Sequence, residues 1–417
     1  MKYFQILIPT LTILASCAQL QIDKSATNNS SEISSEKILN HIKYLSSDEL
    51  EGRYPGSKGS KLAISYIEKK FNEYKLEPVN SNGYQQYFDF IDKSGDTISI
   101  PNVVGIIKGS DRNKNDEFIV LGAHFDHLGY GGAHSGSLMI NSNEIHNGAD
   151  DNASGVAGII ELARKLSNHQ NTLRRSIIVV AFNAEEQGIF GSKFFVNDSF
   201  FNSKKMIMMV NLDMIGRLNK LSLNISGTGT SPVFNSLLDN IASKHNLNII
   251  KNPNGLGPSD HASFYANDIP VLFFFTGGHS DYHKPSDDWN KINVEGEKKI
   301  LNMIFDIIKS IDQLDNRPTF TESGPKTQSP QQNLKVTFGF MPSYSPLGKG
   351  LGVDGVRIDG PAGKAGLLKG DIIIEINGIM VKDIYGYMDI LSKLNSGENS
   401  KIIILRDGIE SVLIINH

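Results

Sequence analysis

The chain has 417 residues, of which 39% are hydrophobic and 21% charged, and its formal net charge is −4. That length supports two or three domains and a large core. The mildly acidic balance excludes the basic footprint expected of a nucleic-acid binder.

In chain order, Lys2 is followed by a largely apolar run from Tyr3 to Leu14. It is too short to cross a bilayer, so residues 1–16 read as a signal peptide. Leu14-Ala15-Ser16-Cys17 is similar to a bacterial lipobox. That resemblance implies a lipid on Cys17, membrane attachment through it, and a place in the bacterial cell envelope facing the periplasm or the exterior. Cys17 is the only cysteine, which excludes an internal disulfide. Residues 17–34 are polar and rich in Ser and Asn, as a flexible tether is.

A large domain is expected over 35–314. The spacing of Ile38, Ile42 and Leu45 predicts a helix, and Leu62, Ile64, Ile67 and Phe71 predict another ending near Lys75. Apolar runs at Val103–Ile107, Phe118–Ala123, Ile177–Phe182, Met206–Leu212 and Val271–Phe275 predict strands covered on both faces. Helical patterns at 153–167, 232–245 and 294–314 lie among them. The alternation implies an α/β fold: a three-layer, mostly parallel but mixed sheet with helices on both faces. Residues 315–332, with three prolines and no apolar period, read as a linker. Residues 333–417 form a separate small unit rich in β-structure.

Chemistry concentrates at strand ends, where open α/β sheets place their sites. His124-Phe125-Asp126 ends the second strand. His124 and Asp126 point the same way on extended backbone, so the Asp126 carboxylate can accept from the His124 ring. Asp150-Asp151 opens the following helix. Asn183-Ala184-Glu185-Glu186 follows the third strand and Asn211-Leu212-Asp213 ends the fourth; Tyr282-His283 comes after the fifth. A single Asp after a strand is usually a turn former or helix cap. Recurrence at successive strand ends points instead to cations, and two His with several carboxylates suit zinc.

These segments, with Asn147-Gly148-Ala149-Asp150-Asp151-Asn152-Ala153-Ser154-Gly155 and Ser259-Asp260-His261, resemble the secreted bacterial zinc aminopeptidases with co-catalytic metals, the family of the leucyl aminopeptidases. The resemblance implies two Zn2+ per chain. His124 and Asp213 would bind one and Glu186 and His283 the other, with Asp151 between them. Asp126 would orient His124, Glu185 would be the general base, and Tyr282 would stabilise the oxyanion. It also implies a cis peptide between Asp151 and Asn152, and peptides as substrates.

Three alternatives remain open at this stage. Arg217, close after Asp213, either forms a structural ion pair or reads a substrate carboxylate, which would make a carboxypeptidase. A lipoprotein adaptor with an inactive peptidase fold is possible. A serine hydrolase is weak, because the chain has no Gly-x-Ser-x-Gly elbow.

The run Gly360-Pro361-Ala362-Gly363 through Asn377-Gly378 resembles the PDZ domains of bacterial envelope proteases. That implies a peptide C-terminus bound at Gly339, Phe340 and Met341 by strand addition, with a helix over 384–394 as the other groove wall.

Overall fold

The structure is a computed structural model that describes residues 32–81, 83–132, 135–139, 141–219, 222–326, 335–343, 349–382 and 384–417. The expected signal peptide with Cys17, most of the expected tether and part of the expected linker lie outside the described residues. Among the described residues no helix is long and apolar enough to cross a membrane.

The larger part runs α1 (Ser35–Leu45), α2 (Lys58–Glu73), β1 (Glu77–Pro78), β2 (Gln85–Ile91), β3 (Thr97–Ile107), β4 (Phe118–His124), α3 (Gly155–Asn168), β5 (Ser176–Phe182), α4 (Phe190–Asn197) and β6 (Met206–Leu212). It continues with β7 (Ser222–Ser226), α5 (Phe234–His245), β8 (Asn248–Asn252), α6 (His261–Tyr265), β9 (Val271–Phe275) and α7 (Val294–Asp312). Among the described residues these strands form one nine-stranded sheet, ordered β1-β3-β5-β4-β6-β9-β7-β8, with β2 also paired to β3.

The central strands β5, β4, β6 and β9 run parallel. β3 joins β5 antiparallel and β7 joins β9 antiparallel, so the sheet is mixed. The period-2 alternation divides the central side chains between two layers. Ile119, Leu121, Ile177 and Val179 pack with α1, α3 and α7 on one face. Val120, Ile178, Val180 and Met209 pack with Phe195 of α4 and Phe264 of α6 on the other.

Several elements differ from the sequence expectation. α3 begins at Gly155, not at 153, because a distorted turn over Ala149–Ser154 precedes it. The Asp151–Asn152 peptide there is cis. β2, β7, β8, α4 and α6 were not legible as apolar runs. β2 alternates instead, with Gln86, Phe88 and Phe90 inward and Tyr87, Asp89 and Ile91 outward, as a strand near a sheet edge does.

The C-terminal unit contains β10 (Phe340–Pro342), β11 (Leu351–Val356), α8 (Pro361–Lys364), β12 (Ile372–Ile376), β13 (Ile379–Met380), α9 (Ile384–Ser392), β14 (Asn399–Arg406) and β15 (Ile409–Asn416). Its sheet is antiparallel and encloses its own core, including Phe338, Leu351, Ile373, Ile390 and Ile402.

Two buried charges hold the larger part together. Glu161 on α3 accepts from Arg164 Nε at 3.0 Å and from the Ser34 N–H at 3.3 Å, and His41 Nε2 stands 3.6 Å away. Burial works to raise its pKa, but the nearby His41 ring and the Arg164 hydrogen bonds hold it at about 2.

Arg53 is fully buried and donates to the carbonyls of Phe125 (2.7 Å), Asn147 (2.7 Å), Gly148 (3.0 Å) and Leu45. It therefore ties the chain after His124 to the chain before Asp151. Gly52 lets it enter, since at φ 65° a Cβ there would stand 2.5 Å from the His146 carbonyl oxygen.

A carboxyl depressed in the folded state stabilises above its unfolded pKa, near 4.5, and loses that contribution as pH falls toward 2. Glu161→Gln is expected to cost about 3 kcal/mol at pH 7 and to flatten the acid limb over that window, read from urea midpoints against pH. Arg53→Leu strands four buried carbonyls and is expected to cost about 3–5 kcal/mol. Arg53→Lys, with three donors for four carbonyls, should recover only part of that in the same measurement.

Candidate metal centre

The carboxyl ends of β4, β5, β6 and β9 converge. His124 ends β4, Glu185 and Glu186 follow β5, Asp213 follows β6 and His283 lies in the loop after β9. Asp151 comes from the turn that opens α3. Ala184, Met214 and His283 all sit at positive φ (57°, 53° and 52°), a left-handed backbone that non-glycine residues seldom adopt. Such strain persists only where packing enforces it.

The structure brings these side chains into one buried cluster. His124 Nε2 lies 3.4 Å from Asp151 Oδ1 and 3.4 Å from Asp213 Oδ1. His283 Nε2 lies 3.2 Å from Asp151 Oδ2 and 3.1 Å from Glu186 Oε2. Asp151 thus faces both groups, one oxygen to each. His283 Nδ1 donates to the Gly136 carbonyl at 2.9 Å, which leaves Nε2 directed at the carboxylates. The donor atoms of His124, Asp151 and Asp213 lie within 4.8 Å of one another, as do those of His127, Asp151 and Glu186. Asp213 Oδ1 is buried without a hydrogen bond. Imidazoles and carboxylates gathered so closely, one of them with an orphaned oxygen, fit a divalent cation that prefers N and O ligands.

Supporting contacts set the loops. Asn152 Nδ2 donates to the Leu212 carbonyl at 2.9 Å, and its Oδ1 accepts from Gly155 N–H, so the start of α3 is locked to the end of β6. Gly155 is required there, because a Cβ would stand 2.4 Å from the Leu212 oxygen. Asp287 Oδ2 accepts from the backbone N–H groups of Asp150 and Asp151 at 2.9 and 3.1 Å. Asp150 itself turns away and accepts from Gly216 N–H at 2.7 Å, with His279 Nε2 at 3.1 Å.

One expected contact is corrected. The Asp126 carboxylate does not take the His124 ring proton, since Nδ1 is 3.8 Å from Oδ1 and 3.2 Å from the Asp126 backbone oxygen. That carboxylate instead accepts from the backbone N–H groups of Glu185 (3.0 Å) and Glu186 (3.2 Å) and so aims the glutamate loop. Tyr282 lines the site with its ring stacked on His283, centroids 3.8 Å apart. Arg217 pairs with Asp281 and Asp287 at 3.3 and 3.0 Å and does not line the cavity. Asp260 is buried nearby and pushed up to about 7 by burial.

His127 was not assigned a role from sequence. Its Nδ1 lies 2.6 Å from Glu186 Oε1, so Glu186 is gripped by two imidazoles. The signal was its place in Gly-Ala-His-Phe-Asp-His, one residue after Asp126.

The adjacent glutamates differ in charge state. Burial, with Glu186 and other carboxylates nearby, pushes Glu185 well above the ordinary carboxylate range. Against burial, His283 and His127 hold Glu186 at about 2. The cluster opens into a cavity of about 230 Å³ walled by Met214, Phe273 and Phe275. Phe340, Pro342 and Asp354 of the C-terminal unit also line it.

Residues 102–308 match Peptidase family M28 and residues 352–406 match the PDZ domain. The chain is 26% identical over 223 residues to a probable zinc metalloprotease of Phaeosphaeria nodorum, covering 50% of this chain and 44% of that one. It is 30% identical over 185 residues to a probable leucine aminopeptidase 2 of Trichophyton verrucosum, covering 42% and 33%. It thus spans less than half the length of these relatives. The crystal structure of glutaminyl cyclase from Porphyromonas gingivalis has the same fold, with TM-score 0.56, 17% identity, and 67% and 98% of the two chains covered.

Proposed function

We propose that this chain is a zinc-dependent exopeptidase that removes N-terminal residues from peptides. The observation that carries the reading is Asp151, which faces His124 and Asp213 with one oxygen and His283 and Glu186 with the other. His124 and Asp213 would hold one zinc, Glu186 and His283 the second, and Asp151 both. His127 supports the grip of Glu186. Zinc, when bound, supplies a Lewis acid and lowers the pKa of a coordinated water.

Glu185 takes a proton from the attacking water and returns it to the leaving nitrogen. Its raised pKa suits a group that must hold a proton in mid-reaction, whereas the low pKa of Glu186 suits a permanent anion. Tyr282 donates from its phenol to the oxygen of the scissile carbonyl. Asp126 and Asp287 keep the Glu185 and Asp151 loops in position through backbone N–H groups. Met214, Phe273 and Phe275 give the cavity apolar walls.

The choice of substrate end rests on charge. Among the described residues no Lys or Arg lines the cavity, and Arg217 is occupied by two aspartates. A free α-ammonium group is favoured by such an acidic wall, while a C-terminal carboxylate finds no cationic side chain. Substrates with a free amino terminus are expected to be cleaved and their N-acetylated counterparts spared, in a peptide panel followed by mass spectrometry. Activity should vanish with a chelator and return with zinc. Release of C-terminal residues first would overturn the reading.

The glutamate pair gives a second expectation. Glu185→Gln should keep its zinc and lose about 10²–10⁴-fold in kcat. Glu186→Gln should lose zinc by elemental analysis. A reversed pattern of zinc retention would exchange the two roles.

A further inference from the structure

The PDZ unit contributes side chains to the same cavity as the metal centre. In the pairing of β10 with β11, Met341 lies opposite Gly355 and Pro342 opposite Val353. Asp354 is therefore the extra residue of a β-bulge. A bulge of this kind redirects a side chain out of the regular alternation. Asp354 lines the cavity together with Phe340 and Pro342. Its carboxylate accepts from the Ser343 hydroxyl and from the backbone N–H of Gly278, in the loop that goes on to carry His283. Burial raises its pKa, and both contacts act against that in favour of the ionised form. Lys369 is near enough to be felt electrostatically but is itself exposed and does not line the cavity.

Met214, Phe273 and Phe275 line the same cavity as the metal centre and Asp354. On the aminopeptidase reading, which this inference rests on, the α-amine and scissile carbonyl of the first residue sit at the metal centre. Its side chain then enters the rest of the cavity. An aliphatic stem suits the apolar walls, and a carboxylate among them is matched only by a cation. We propose that Asp354, supplied by the PDZ unit, is a specificity-determining residue that selects peptides whose first residue is lysine or arginine. The PDZ unit thus completes the substrate pocket of the peptidase.

The test compares kcat/KM of the zinc-loaded full chain on lysyl-, arginyl- and leucyl-4-nitroanilide. The wild type is expected to prefer the basic substrates. Asp354→Asn should lower the lysyl-to-leucyl ratio about 10- to 100-fold, the range of a charged hydrogen bond, mainly through KM. Asp354→Glu should restore much of it. Calorimetric binding of L-lysinamide, compared with L-leucinamide, should weaken in Asp354→Asn and recover in Asp354→Glu. Thermal melting of each variant excludes misfolding as the cause.

If the wild type turns over the leucyl substrate with zinc but shows no preference for basic residues, the inference falls and the aminopeptidase reading stands. The same holds if Asp354→Asn leaves the ratio and the binding difference unchanged. If no unblocked substrate is turned over, both fall.

Discussion

Asp126, Asp151, Glu185, Glu186 and Asp213 crowd the carboxyl ends of the parallel central strands, and like charges so close must be compensated. Each is compensated differently. Asp126 is satisfied by two backbone N–H groups. Asp151 and Glu186 are held low by imidazoles, while Glu185 is pushed toward its protonated form. Asp213 keeps an oxygen without a hydrogen bond. Differing environments for like groups are what acid–base work requires, and the unpaired remainder is what a cation would satisfy.

Such a cluster is sustained by neighbours that carry no chemistry. Arg53 contributes a buried positive charge beside the aspartates and spends its donors on the carbonyls of the two loops that bear them. Asn152 and Asp287 fix the turn around Asp151. The left-handed backbone at Ala184, Met214 and His283 is the local cost of aiming side chains from short strand ends into one volume.

The PDZ unit changes the meaning of the cavity. Glutaminyl cyclase of P. gingivalis has the fold of the larger part, so fold alone does not choose an activity. The wall formed by Phe340, Pro342 and Asp354 comes from outside that fold. Phe340 of β10 packs against Tyr387 of α9, centroids 5.0 Å apart, and so joins the core of the C-terminal unit to the cavity.

The sequence by itself determined the layered mixed sheet and the strand ends that carry His and carboxylates, because apolar runs and their terminal residues are local signals. The resemblance of ordered motifs supplied the pairing of those residues with roles. Only the tertiary structure decided which atoms meet. The Asp126 carboxylate was expected on His124 and is on the Glu185 loop, because backbone donors were nearer than the imidazole. His127 was passed over because nothing in the sequence shows that its ring meets Glu186, 59 residues further on. Arg53 carries no local signal of its four carbonyl partners, and Arg217 stood open between two roles until Asp281 and Asp287 were found beside it. Asp354 gave no signal, since a bulge more than 200 residues from His124 acquires meaning only when two separately folded cores meet at one cavity.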